Sequence, residues 1–130
     1  MQKLLVIEDS KLLRLTYGRA LARAGYEILN AADGLEGLES ARQNLPDLIL
    51  LDILLPKMSG LEVLRALKQD ASTSTIPVIV MSALSEKNKE KLLTEGAHAF
   101  VEKTEALLAN NSAALLQSVA EVLEKHRARP

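Results

Sequence analysis

Cysteine is absent from the chain, and with it go disulfide frameworks, thiolate metal sites and thiol nucleophiles. Aromatic side chains are nearly as scarce. There is no tryptophan, one phenylalanine and two tyrosines, 2% of the residues. That shortage argues against base-stacking platforms, which need rings, and it leaves the core to aliphatic side chains. Neither sign of charge is in excess: 16 Lys+Arg face 17 Asp+Glu, a formal net charge of -1. No basic footprint for nucleic acid is present. Long apolar runs are missing too. The stretches Leu4–Ile7, Leu48–Leu51 and Ile53–Leu55 are too short for a signal-peptide core or a membrane span. A cytoplasmic protein without membrane contact is the expectation. What the chain does have is 130 residues, 48% of them hydrophobic. That length suits one domain that buries roughly two-thirds of its unfolded surface.

Short apolar stretches recur at regular spacing: Leu4–Ile7, Ile28–Leu29 with its flanks, Leu48–Leu51, Val78–Met81 and Ala99–Val101. Amphipathic segments lie between them. This rhythm predicts βα units and a parallel sheet, whose strands are near-continuously apolar because helices cover both faces. The first helix is expected after Ser10, with Leu13, Tyr17, Ala20, Leu21 and Ala24 as its inner stripe and Gly25 as its stop. The second runs from Leu35 to about Asn44, closed by Pro46; the third from about Gly60 to Asp70; the fourth over about Lys87 to Glu95, stopped by Gly96. The last begins at Ser112, with Leu115, Leu116, Val119, Val122 and Leu123 on one face. His98 and His126 read as solvated, and residues 126–130 as a polar tail. The prediction is a single (βα)5 domain.

In an open parallel sheet, ligands bind at the carboxyl ends of the strands. The polar residues closing the strands are Glu8-Asp9 after strand one, Asp52 after strand three, Ser82 after strand four and Lys103 after strand five. With strands one and three adjacent, three carboxylates converge. Like charges in a partly buried pocket repel, and a hard divalent cation with oxygen ligands offsets this. Lys103 adds a point charge suited to phosphate, and Ser82 a hydroxyl. Together these groups suit phosphoryl transfer, with one carboxylate as nucleophile. The run Asp33-Gly34 reads as a turn.

The order Val6-Ile7-Glu8-Asp9-Ser10, then Asp52-Ile53-Leu54-Leu55-Pro56-Lys57-Met58-Ser59-Gly60, then Ser82-Ala83, then Phe100-Val101-Glu102-Lys103 resembles the receiver domain of bacterial two-component response regulators of the chemotaxis type. Each motif alone is weak; their conjunction at the right strand ends is specific. The resemblance covers about residues 3–125 and implies a flavodoxin-like α/β fold, a five-stranded parallel sheet in order 2-1-3-4-5 with helices on both faces. It implies that Asp52 is the phosphoacceptor and that Asp9 binds Mg2+ (or Mn2+) directly, with Glu8 acting through water. It also implies the Leu54 backbone carbonyl as a further ligand, Lys103 as the phosphate-pairing lysine, and Ser82 and Phe100 as switch residues. The implied phosphoryl donor is a phosphohistidine on a histidine kinase or histidine phosphotransfer protein. The implied output is a conformational change of the face formed by the fourth helix, the fifth strand and the last helix, read by a downstream protein or by an output domain absent from this sequence.

Two departures stand out. Thr104 follows Lys103 where the family usually has Pro, often as a cis peptide, and a non-proline cis bond costs about 3 kcal/mol. The stretch Glu105–Asn111 lengthens the connection into the last helix. At about 100° per residue, Leu12, Leu15 and Arg19 fall opposite the core stripe of helix one and form a candidate docking patch. Two rival classes remain. One is a receiver-like interaction module independent of phosphorylation, against which the intact acidic pair, Asp52, Ser82 and Lys103 argue. The other is an aspartate-nucleophile phosphatase, which needs a second Asp where Leu54 stands. The main reading is therefore a self-phosphorylating signalling domain and not a turnover enzyme.

Overall fold

The computed structural model describes residues 1–82, 89–103 and 113–127. Among these residues strands and helices alternate along the chain: β1 (Lys3–Ile7), α1 (Lys11–Arg23), β2 (Glu27–Ala31), α2 (Gly34–Asn44), β3 (Leu48–Asp52), α3 (Gly60–Gln69), β4 (Val78–Ser82), α4 (Lys89–Thr94), β5 (Ala99–Glu102) and α5 (Ala113–Arg127). Every strand pairing is parallel, and the order across the sheet is β2-β1-β3-β4-β5. This is the flavodoxin-like order expected from the sequence.

The two-residue period of a strand splits the apolar residues into two cores. Leu5, Ile7, Ile49, Leu51, Val78 and Val80 face one side, where Leu38 and Ala41 of α2, Leu64 and Leu67 of α3 and Leu92 of α4 cover them. Leu4, Val6, Leu48, Leu50, Ile79 and Met81 face the other, under Tyr17 and Leu21 of α1 and Leu115, Val119 and Leu123 of α5. All of β3 and β4 is buried. Each such side chain contributes about 1.5–3 kcal/mol by leaving water, so the aliphatic core needs few rings.

The first three turns from strand to helix end on a capping side chain. Ser10 Oγ accepts the Leu13 N–H, Asp33 the Glu36 N–H, and Ser59 the Glu62 N–H, with Glu62 returning a capping box. The strand order reverses about β1, which lies between β2 and β3. This reversal opens a crevice at the carboxyl ends of β1 and β3.

Several details differ from the sequence reading. Ala24 is exposed, because the chain turns away at the C-cap of α1. Helix α2 ends at Leu45 in the left-handed region (φ 44°), whose N–H bonds the Ala41 carbonyl, so the stop precedes Pro46. Helix α5 runs through Arg127, into the stretch read as tail. His126 is half-buried there, its ring 6.2 Å from that of His98 in an edge-to-face contact. His98 is exposed, as expected, yet its Nδ1 accepts the Val78 N–H. The expectations for Thr104, for Glu105–Asn111 and for a helix start at Ser112 fall outside the described residues. No described helix is long and apolar enough to cross a membrane.

Candidate functional site

The register brings the polar residues together. Ile7 pairs with Leu51, so Glu8 stands level with Asp52; Asp52 pairs with Met81; Ser82 pairs with Glu102, one residue before Lys103. Four strands thus deliver Glu8, Asp52, Ser82 and Lys103 to one rim. Glu8 (2% exposed), Asp52 (5%) and Ser82 (1%) are the buried polar residues at these strand ends.

Lys103 organises the pocket. Its Nζ lies 2.5 Å from Glu8 Oε1 and 2.9 Å from Asp52 Oδ2, so one ammonium bridges two buried carboxylates. Burial pushes this amine down, but its bonds to Glu8 and Asp52 outweigh that and hold it above its ordinary value. Burial also lifts the Glu8 carboxyl above the usual range, partly offset by Lys103 and by the Ser10 N–H. The second Glu8 oxygen accepts that N–H at 3.1 Å. The second Asp52 oxygen accepts the Leu54 N–H at 3.2 Å. Exposed Asp9 completes the cluster: Glu8, Asp9 and Asp52 each offer one oxygen, all within 4.8 Å of one another. Three carboxylates against one ammonium leave an excess of negative charge, and an all-oxygen donor set of this kind fits a hard divalent cation.

The remaining expected residues lie outside this cluster. Leu54 lies on the loop after β3 with its side chain 60% exposed. Phe100 is half-buried on β5 beside Val80 and packs against the core under α2, α3 and α4. Leu12 (73% exposed), Leu15 (43%) and Arg19 are exposed on α1. A shallow groove between α1 and β2 runs past Leu15, Gly18, Arg19 and Ile28.

Other contributors were not legible as such in the sequence. Arg14 donates to the Glu8 backbone carbonyl at 2.8 Å, and the Ser10 N–H holds the Glu8 side chain. Tyr17 is fully buried, and its phenol, pushed up by burial, lies within the field of Lys103, Glu8 and Asp52. Asp33 pairs with Lys57. Of these, the sequence marked only Tyr17, as part of the inner stripe of the first helix.

The fold and pocket define an open α/β protein with an acidic, lysine-bridged site at its topological switch point. The chain belongs to the response regulator receiver domain family, whose model matches residues 4–110, and so to the proteins of two-component signalling. It is 38% identical over 103 residues to the polar-differentiation response regulator DivK of Brucella anthropi, covering 78% of this chain and 84% of that one. It resembles the chemotaxis response regulator CheY4 of Vibrio cholerae (TM-score 0.85, 29% identity, 94% of this chain and 98% of that one). It also resembles the Mn2+-bound form of the response regulator Rcp1 (TM-score 0.76, 26% identity, 86% and 90%).

Proposed function

We propose that the chain is a phosphoacceptor signalling domain in which Asp52 takes a phosphoryl group from a phosphohistidine of a histidine kinase or phosphotransfer protein. The observation that carries this reading is the setting of Asp52: 5% exposed, one oxygen on the Leu54 N–H and the other on Lys103, beside Glu8 and Asp9. Glu8, Asp9, Asp52 and the Leu54 carbonyl would hold Mg2+ or Mn2+, and such an ion supplies charge neutralisation to a transferring phosphoryl group. An Asp52 oxygen attacks phosphorus, the oxygen–phosphorus bond forms as the nitrogen–phosphorus bond breaks, and the donor imidazole leaves to be protonated. Lys103, already 2.9 Å from Asp52, pairs with the arriving phosphoryl oxygens. Ser82 and Phe100, on adjacent strands of the same sheet, couple the modified site to the α4-β5-α5 face. The chain then works as a cytoplasmic relay between proteins and not as a turnover enzyme. Leu12, Leu15 and Arg19 form the face that meets the donor.

Incubation with acetyl phosphate and Mg2+, followed by intact-mass detection, is expected to give one adduct of a phosphoryl group, lost in Asp52→Asn and after chelation of the metal. An adduct of equal yield on Asp52→Asn, or none on the wild type, removes the proposal.

A further inference from the structure

The β3–α3 loop, residues 53–59, carries the Leu54 carbonyl and contains a strained residue. Lys57 has φ 67°, in the left-handed region that non-glycine residues adopt at a cost. Such a conformation persists only where surrounding contacts hold it, and it clusters at functional loops. Three contacts hold it here. Lys57 Nζ lies 3.3 Å from Asp33 Oδ2 across the gap to the β2–α2 turn. Asp33 is anchored in its own right, because its other oxygen caps α2 by accepting the Glu36 N–H at 2.8 Å, and its side chain is 15% exposed. Next to it, Gly34 is pressed against the loop: a Cβ there would lie 2.4 Å from the Met58 carbonyl oxygen. At the base of the loop Gly60 makes the same kind of contact, its Cβ position 2.5 Å from the Asp52 carbonyl oxygen. The loop is thus held at both ends by backbone contacts and at its tip by one ion pair.

We propose that Asp33 and Lys57 are positioning residues, a clasp between the β2–α2 turn and the β3–α3 loop that sets where the Leu54 backbone stands relative to Asp9 and Asp52. The clasp rests on the reading of the acidic pocket as a divalent-cation and phosphoacceptor site. It adds a specific role for two residues that touch neither the cation nor the phosphoryl group. Asp33 in this role does two things with two oxygens: one fixes the turn to α2, the other fixes the loop to the turn.

The test separates positioning from plain electrostatics, because the two partners have opposite charge. Asp33→Asn keeps a good N-cap for α2 and loses the ion pair; Lys57→Met loses the pair from the other side. Mg2+ affinity is read by calorimetry, and the metal-free melting temperature by circular dichroism. If the clasp positions the loop, both variants raise the Mg2+ dissociation constant by about two- to fivefold, the range an ion pair of this exposure supports. Their melting temperatures stay at the wild-type value, and the double variant is no worse than either single one. If only long-range charge matters, Asp33→Asn weakens Mg2+ binding and Lys57→Met strengthens it. That split, or unchanged affinity in both, overturns the clasp. A wild type that binds no Mg2+ overturns the pocket reading itself and the clasp with it, whereas a binding wild type with unaltered variants overturns the clasp alone.

Discussion

Lys103 is the residue on which the pocket closes. Its ammonium is shared by Glu8 and Asp52, and both carboxylates are almost wholly out of water. Removing one partner of a buried ionic cluster leaves charge unsatisfied in a low-dielectric setting. Lys103→Met is therefore expected to lower metal-free stability by about 3 kcal/mol in urea unfolding at neutral pH. Added Mg2+ should return part of it, because a cation offsets the same carboxylates. A loss below about 1 kcal/mol, the range of solvent-exposed pairs, would mean that water already carries this ammonium. At this scale the sequence was informative in a specific way. Glu8, Asp52, Ser82 and Lys103 stand out because each is a polar residue closing an apolar strand, and the sheet register then has no choice but to bring them together. Arg14 and the Asp33–Lys57 pair lacked such a signal. Their partners lie far off along the chain or are backbone atoms, and no periodicity marks either.

Among the elements, α3 is joined to the residue just after α4 by a forked contact: Arg65 Nε and Nη2 reach Glu95 Oε2 and Oε1 at 3.1 and 2.9 Å. The guanidinium beside Glu95 holds that carboxyl below its ordinary value of 4.5. A carboxyl lowered on folding stabilises the native state above its unfolded value, and the effect is lost as pH falls through its native value. The stability difference between wild type and Glu95→Gln should thus be present at pH 7, begin to shrink near the ordinary value of 4.5 and vanish in stronger acid. Urea midpoints across that range check this, and a difference that grows on acidification would refute the assignment. Both side chains are partly exposed, so the effect is modest. Element positions were legible from short, near-continuous apolar runs alternating with amphipathic segments. Element ends were less so. Leu45 adopts a left-handed cap that composition would assign to glycine. In the last turn of α5, His126 packs edge-to-face with His98, a contact between residues remote in sequence.

For the whole molecule, the proposed phosphoacceptor role raises the question of how a donor protein would reach Asp52, which is 5% exposed. Leu12 and Leu15 project from α1, whose N-cap Ser10 directly follows Glu8-Asp9. A surface seated on that helix is thereby aimed at the rim. Leu15→Asp is expected to slow phosphoryl transfer from a cognate kinase about tenfold, as loss of an apolar interface anchor does, while labelling by acetyl phosphate stays unchanged. Equal slowing with both donors would move Leu15 from docking to the architecture of α1. The exposure of Leu12 and Leu15 was foreseeable, because two leucines on the polar side of a helix break its pattern.

The capped turns have a further consequence. Ser10, Asp33 and Ser59 each start a helix just beyond a strand's carboxyl end, so α1, α2 and α3 all begin on the side where the carboxylates gather. A helix start carries roughly half a positive charge and presents free N–H groups suited to anions. The same winding that crowds acidic side chains along the rim therefore surrounds them with a partial positive potential from the backbone. Acidic side chains and the partly positive starts of three helices therefore share one rim.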